Sequence, residues 1–437
     1  MPLRDAARAA CVSRTFLCFW RCYPKLTFTK KTLGLKRNGR KRADITRDFT
    51  SIVDSILKNH SANTYCNANY INSWLQIAIT PGIEEVSLLL PSYYNFPCSL
   101  LFDGRTNSIR VLYLTDCAFR PMVSTDCLRS LTKLDLCEVR ITGDELGCLL
   151  SSSFALERLG LRYCNELICL KIPFYLGRLS FLMVFECQML QIIESKAPNL
   201  FTFRFSGDPV QLSLGDLSHL KLLNVGFSSK ISSCTYAVTK LPSIVPHLKT
   251  LIVSSFSERG SNPIVGNKFI HLKYLEINLG PSCGAFSPDY DYFCLVSFLD
   301  VSPVLETFIV HQGAMKHYSI FTSSLCMRNM PEHKHDMLKN VMIIGFCSAK
   351  SMVELTCHIL ENVSSLEYLT VDTVYDEEDD DRIGRCSVRK TGRCGPVTRH
   401  MILEAHKALE AIRRYLAKFL PRLSSMFGNL AAGAILL

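Results

Sequence analysis

Cysteine and histidine are the residues whose types could do chemistry in this chain of 437 residues, which holds 20 Cys and 11 His. Cys386, Cys394, His400 and His406 could be drawn as a zinc site. Zinc sites are usually built from close pairs such as C-x2-C, in which one turn offers two thiolates to one ion. Here the gaps are seven, five and five residues, and no such pair supports them. The acidic run Asp376-Glu377-Glu378-Asp379-Asp380-Asp381 lacks the ligand spacing of a calcium loop, and its like charges predict a solvated loop. The basic run Lys36-Arg37-Asn38-Gly39-Arg40-Lys41-Arg42 could serve nuclear import or touch phosphate. No aromatic residue interleaves it for base stacking, so nucleic acid is not an expected partner. No phosphate loop, dinucleotide fingerprint, HExxH or GxSxG occurs. The chain therefore reads as a non-enzyme, with no catalytic residue, no metal and no cofactor.

The elements that would have to position such residues point the same way. Hydrophobic residues make up 48% and charged residues 20% of the chain, enough apolar material for a large core. The net charge is +10, from 49 Lys and Arg against 39 Asp and Glu. Twelve of those cations lie in residues 1–43 beside a single acid, Asp5, so the remainder is close to neutral. Only the N-terminal segment carries a strong positive field. The cysteines are scattered, in a chain too long to need a disulfide framework, and read as reduced, buried small hydrophobes of a nuclear or cytoplasmic protein. No apolar run reaches the 18 or so residues that cross a bilayer, so no membrane partner is expected.

A six-residue phrase, L-x-x-L-x-L, recurs along the chain and is often followed by x-x-C. Its clearest copies are Ile109-Leu112-Leu114-Cys117, Leu156-Leu159-Leu161-Cys164 and Leu179-Leu182-Val184-Cys187. Twelve units start at residues 83, 109, 131, 156, 179, 200, 220, 248, 272, 305, 338 and 366, with steps of 20 to 33 residues. Residues i and i+2 of a strand share a face, so the second and third leucines of each unit enter the core together. One such unit cannot bury its apolar face alone, whereas stacked units share a continuous core. The period is that of leucine-rich repeats. The expected fold is an α/β leucine-rich-repeat solenoid over residues 80–372: a curved parallel sheet with a helical or irregular convex side. The Cys after each strand is expected to bond backbone groups where the chain leaves the sheet.

Positions between the core leucines, and the next position along, point away from the core toward the concave face. Such faces are extended binding surfaces, and aromatic, Met and Arg residues anchor interfaces. Tyr113, Asp135, Arg162, Phe185, Arg204, Asn224, Glu276 and His311 are the expected contacts for an unidentified target protein.

The stretch Pro2-Leu3-Arg4-Asp5-Ala6-Ala7-Arg8-Ala9-Ala10-Cys11-Val12-Ser13-Arg14, followed by Trp20, resembles the second half of a plant F-box. A basic linker, a helix over Thr50–His60, the repeats and a final helix then follow in the order of plant F-box proteins with leucine-rich repeats. The resemblance covers about residues 1–420. It implies a substrate adaptor of a cullin-based ubiquitin ligase, in which Leu3, Val12, Ser13, Arg14 and Trp20 would bind a Skp-type linker and so recruit the cullin. The Leu-Pro pair and first helix that open an F-box are not present before Met1, so the F-box reads as partial. The alternative is a repeat scaffold that binds a protein partner but recruits no ligase.

The expected organisation is a partial F-box helix over 1–24, then a basic linker with a lead-in helix or strand over 25–79. The repeats of 80–372 follow, then an acidic and basic loop over 373–397 and a C-terminal helix and tail over 398–437. Leu409, Ile412, Leu416 and Phe419 or Leu420 share a helical stripe that should cap the open end of the stack, with Pro421 ending the helix.

Overall fold

The computed structural model describes residues 25–28, 72, 75–76, 79, 82–90, 92, 94–102, 108–121, 128–215, 219–227, 232–255, 266–280, 290–313, 317–322, 327–328, 333–373 and 399–419. Leu3, Val12, Ser13, Arg14, Trp20, the Thr50–His60 helix, the acidic run, Cys386 and Cys394 lie outside them. The chain divides into two compact units, Met1–His219 and Leu220–Leu437.

In the first unit every leucine phrase is a short parallel strand. The sheet runs through β1 (Lys25–Phe28), β2 (Glu85–Leu89), β4 (Val111–Thr115), β6 (Lys133–Cys137), β7 (Arg158–Arg162), β9 (Phe181–Phe185) and β11 (Thr202–Gly207). It thus starts at Lys25, well before residue 80: Leu26-Thr27-Phe28 adds a strand to its edge. The register is unbroken, with Leu112, Leu134, Leu159, Leu182 and Phe203 directly opposite one another in turn. All five are buried to 1% exposure or less. Short two- to four-residue strands lie outside this sheet. β3 (Asn95–Phe96) pairs with β5 (Ala118–Phe119), and β10 (Ile192–Ser195) lies between β8 (Cys169–Ile172) and β12 (Gln211–Ser213).

The second unit repeats the pattern through β13 (Leu222–Phe227), β14 (Thr250–Ser255), β15 (Tyr274–Leu279), β16 (Thr307–Gln312), β17 (Asn340–Ile344) and β18 (Tyr368–Asp372). Leu223, Leu251, Leu275, Phe308 and Val341 form its buried row.

What joins one strand to the next follows the length of the step. Steps of 20 to 23 residues, from 156 to 220, carry the back strands β8, β10 and β12. Longer steps carry helices: Gly143–Ser152 within a step of 25, Ser233–Thr239 and Leu241–Ile244 within 28, a 3-10 turn Tyr292–Leu295 and the helix Val296–Val301 within 33, and Lys350–Asn362 within 28. A strand covers about 3.3 Å per residue and a helix about 1.5 Å, so the same span takes roughly twice as many residues when helical. The small back sheets are the departure from a helical or irregular convex side.

The chain leaves each strand of the first unit in the same way. Asp116, Glu138, Tyr163 and Glu186 follow β4, β6, β7 and β9 with φ of 60°, 55°, 54° and 50°. Their N–H groups donate to Cys137, Arg162, Phe185 and Ser206 carbonyls at 2.6–2.9 Å, which extends the ladder by one rung. This left-handed residue turns the next one, Cys117, Cys164 or Cys187, into the core. The Cys164 thiol donates to the Leu136 carbonyl at 3.6 Å and the Cys187 thiol to that of Leu161 at 3.9 Å, the backbone role expected of them. Burial pushes the Cys117 thiol up to about 12 and the Cys98 and Cys357 thiols up to about 11. All three are protonated at neutral pH and poor nucleophiles.

The C-terminal helix Arg399–Ala411 runs into a π turn, Ile412–Leu416, and a 3-10 turn, Ala417–Phe419. Its buried stripe is Ala408, Ala411, Leu416 and Phe419. Leu409 and Ile412 are only half-buried; the wider π turn accounts for the five-residue step from Ala411 to Leu416 in the buried stripe. Glu404 fixes this helix to the repeats. One carboxylate oxygen accepts from the Ser348 N–H at 2.9 Å and the Ser348 hydroxyl at 2.6 Å, and lies 2.8 Å from His317 Nε2. Burial disfavours charge at both partners. Hydrogen bonds to His317 and Ser348 overcome it and hold the Glu404 carboxyl down at about 2. For His317, contacts with Cys347 and Glu404 overcome it and raise the imidazole to about 10.

Candidate protein-binding face

The face of each sheet opposite the core is lined by side chains in register rows, because β-strands alternate. In the first unit the middle row is Ser87, Tyr113, Asp135, Gly160, Met183 and Arg204. The next row toward the strand ends is Leu89, Thr115, Cys137, Arg162, Phe185 and Ser206. Thus Tyr113, Asp135 and Arg204 share one row, and Arg162 and Phe185 share its neighbour. In the second unit Asn224, Ile252, Glu276 and Ile309 form the middle row, and His311 stands in the adjacent row beside Asn278. All eight expected contact residues are exposed or half-buried.

Within the first unit these groups are organised by a missing side chain. A Cβ on Gly160 would come within 3.0 Å of Asp135 Oδ2. Glycine leaves that space to the carboxylate, which accepts from Arg162 Nη2 at 2.8 Å. Burial raises the Asp135 carboxyl above its ordinary value, and the Arg162 guanidinium opposes that rise. On the other side of Gly160, the Arg158 guanidinium lies 3.9 Å from the centre of the Phe181 ring, and that of Arg204 lies 5.7 Å from it. Tyr163 and Phe185 meet edge to face, ring centres 5.5 Å apart, and both are exposed.

Arg158, Phe181 and Tyr163 escape the expectation drawn from sequence. Arg158 and Phe181 precede the first core leucine of their strands, and running the alternation one residue further back would have found them. Tyr163 faces out only because its backbone is left-handed, which no hydrophobic period signals. In the second unit, Glu276 accepts from the Tyr274 hydroxyl at 2.8 Å and from Asn278 Nδ2 at 3.0 Å, so its carboxylate is already satisfied within the sheet.

Among the described residues no group of three or more His, Cys, Asp or Glu side chains is arranged to hold a metal ion. His406 is exposed. No helix among them is long and apolar enough to cross a membrane.

Residues 53–426 match the family described as At1g61320/AtMIF1, LRR domain. The chain belongs to this plant leucine-rich-repeat family. Its fold is an α/β leucine-rich-repeat solenoid, as the leucine phrase implies. No curated protein matches the chain. Among solved structures it is similar to an internalin, inlF, from Listeria monocytogenes, at 12% identity and a TM-score of 0.34, over 74% of this chain and 89% of that one.

Proposed function

We propose that this leucine-rich-repeat domain is a non-catalytic protein-interaction scaffold that holds its partner against the outer face of the sheet. What carries this reading is the outer face of the first unit. An aromatic and guanidinium patch lies across β7, β9 and β11, made of side-chain types that dominate binding hot spots. The eight expected contacts, Tyr113, Asp135, Arg162, Phe185, Arg204, Asn224, Glu276 and His311, would contribute to it in their respective units. The thiols of Cys98, Cys117 and Cys357, held protonated by burial, are poor nucleophiles.

The finer proposal is a substrate adaptor of a cullin-based ubiquitin ligase, acting in the nucleus or cytoplasm. Its support is the likeness of Pro2–Arg14 and Trp20 to part of a plant F-box. In that reading Leu3, Val12, Ser13, Arg14 and Trp20 bind a Skp-type linker. The scaffold without ligase recruitment remains the alternative, because only part of an F-box is recognisable. Co-purification of the full chain with a Skp-type linker separates the two. The adaptor reading expects capture that Trp20→Ala reduces at least tenfold. Absence of capture by the unaltered chain leaves the scaffold alone.

A further inference from the structure

The residue that follows each left-handed turn of the first unit joins a column inside the stack: Cys117 after β4, Val139 after β6, Cys164 after β7 and Cys187 after β9. All are buried. Of the four, only Cys164 and Cys187 put thiols on adjacent rungs, since Val139 stands between Cys117 and Cys164. The ladder aligns the pair. Arg162 lies opposite Phe185, and the Tyr163 N–H donates to the Phe185 carbonyl at 2.9 Å. Neighbouring strands run about 4.8 Å apart, inside the Cα separation of about 4.4–6.8 Å that a disulfide spans. The Cys187 thiol leans onto the strand of its neighbour, with Sγ 3.9 Å from the Leu161 carbonyl oxygen on β7. Cys164 Sγ is 3.6 Å from the Arg162 carbonyl oxygen of the same strand. A hydrogen bond from the Cys164 thiol holds Cys187 below the ordinary thiol value in spite of burial. The same bond, together with burial, pushes Cys164 up. Cys187 is therefore the member that ionises, and thiolate is the form that reacts with peroxide. It is also the member nearer to solvent, 5% exposed against 0% for Cys164.

We propose that Cys164 and Cys187 are a redox-active dithiol, which peroxide closes into a disulfide that staples β7 to β9. The Cys187 thiolate attacks one oxygen of hydrogen peroxide and the O–O bond breaks. This leaves a sulfenic acid on Cys187 and a hydroxide, which takes the proton that Cys187 gave up. Cys164 then turns from the Leu136 carbonyl toward Cys187, and its sulfur attacks the Cys187 sulfur. The S–O bond breaks, and the departing hydroxide leaves as water with the Cys164 proton. The two thiols lose two electrons, peroxide gains them, and two waters form. The link joins the strands that carry Arg162 and Phe185 on the outer face, but the dithiol stands whether or not that face holds a partner.

The test treats the reduced full chain with hydrogen peroxide, blocks the remaining thiols in urea and maps disulfides by mass spectrometry of unreduced tryptic digests. Lys171 and Arg178 lie between the two cysteines, so trypsin separates them unless they are linked. Peptides joined through 164 and 187 should be the leading oxidised species and should revert with dithiothreitol. Their yield should fall about tenfold when the chain is unfolded in urea before oxidation, because the fold and not chain proximity aligns the pair. In Cys164→Ala, which lacks the resolving thiol, dimedone should label Cys187, whereas in Cys187→Ala it should leave Cys164 unlabelled. Recovery of both residues as blocked thiols, whether or not other cysteines oxidise, overturns the proposal. A link that forms equally in the unfolded chain overturns it too. Both of these results are read on the unaltered protein, so a variant that fails to fold does not obscure them.

Discussion

Replacing Gly345 by alanine should damage the second unit locally and severely. Gly345 follows β17 with φ of 78°, the place that Asp116, Glu138, Tyr163 and Glu186 occupy in the first unit. Keeping an L-residue there costs about 1–2 kcal/mol. At this one rung a second cost is added. The new Cβ would stand 2.1 Å from the Gln312 carbonyl oxygen and 3.1 Å from its carbon. Carbon–oxygen contacts settle at about 3.3 Å or more, so β16 and β17 would have to separate by about an ångström at that end. Overpacking of this kind costs about 1–3 kcal/mol. Together the effects amount to about 3 kcal/mol, or roughly a hundredfold in a local opening equilibrium, at about 1.4 kcal/mol per factor of ten. Hydrogen exchange followed by mass spectrometry on peptides spanning 340–372 should accelerate by about that factor, with peptides from the first unit unchanged. The opposite substitution is the control. Glu138 is exposed and left-handed, so Glu138→Gly removes its strain and gives back part of the gain as chain entropy, a net stabilisation of about 0.5–1 kcal/mol. Unaltered exchange over 340–372 in Gly345→Ala, or a lowered melting midpoint in Glu138→Gly, would refute the reasoning.

Leu182→Ala empties a site between Leu159 and Phe203 that is fully buried, and should cost about 3–4 kcal/mol, read as a shift of the urea midpoint at constant slope. The attachment of the C-terminal helix should depend on pH from both sides. Glu404, lowered from 4.5 to about 2, stabilises fully above 4.5 and loses that contribution as pH falls toward 2. His317, raised from 6.5 to about 10, stabilises fully below 6.5 and loses its contribution as pH climbs toward 10. Exchange rates in 399–419, corrected for the intrinsic pH dependence, should therefore be lowest between about 4.5 and 6.5, and Glu404→Gln should remove the acid flank, reduce the alkaline one and cost about 2 kcal/mol at pH 6. A pH-independent protection profile would count against this attachment.

The sheet and its dry column were legible because a two-residue alternation of aliphatic side chains leaves little freedom once it recurs at a steady period. Leu134, Leu159, Leu182, Leu223 and Leu251 are each buried where the phrase puts them. The outward residues were legible for the same reason, up to the point where the alternation was read. Arg158 and Phe181 lay one residue beyond it. Three features had no signal of that kind. Among the described residues the left-handed rung is occupied by Asp, Glu and Tyr and by glycine only at 345, so composition does not mark it. The stripe of the C-terminal helix is displaced by a π turn, an event of backbone hydrogen bonding that hydrophobic spacing does not encode. The back strands were hidden in the step lengths, since Cys169–Ile172 and Ile192–Ser195 are too short to show a period of their own.

The tie between step length and backing also bears on how chains of this kind diverge. Between Leu156 and Ser213 the connecting segments carry the back strands β8, β10 and β12, which pair side by side in register. Gain or loss of a single amino acid there would dislocate several neighbours at once. A helical segment can absorb the same event by fraying a turn at its end. Among descendants of a common ancestor, length polymorphism should therefore gather in the stretches that hold the helices Gly143–Ser152, Ser233–Thr239, Val296–Val301 and Lys350–Asn362, while the span bearing Arg158, Phe181 and Arg204 keeps a constant count of residues.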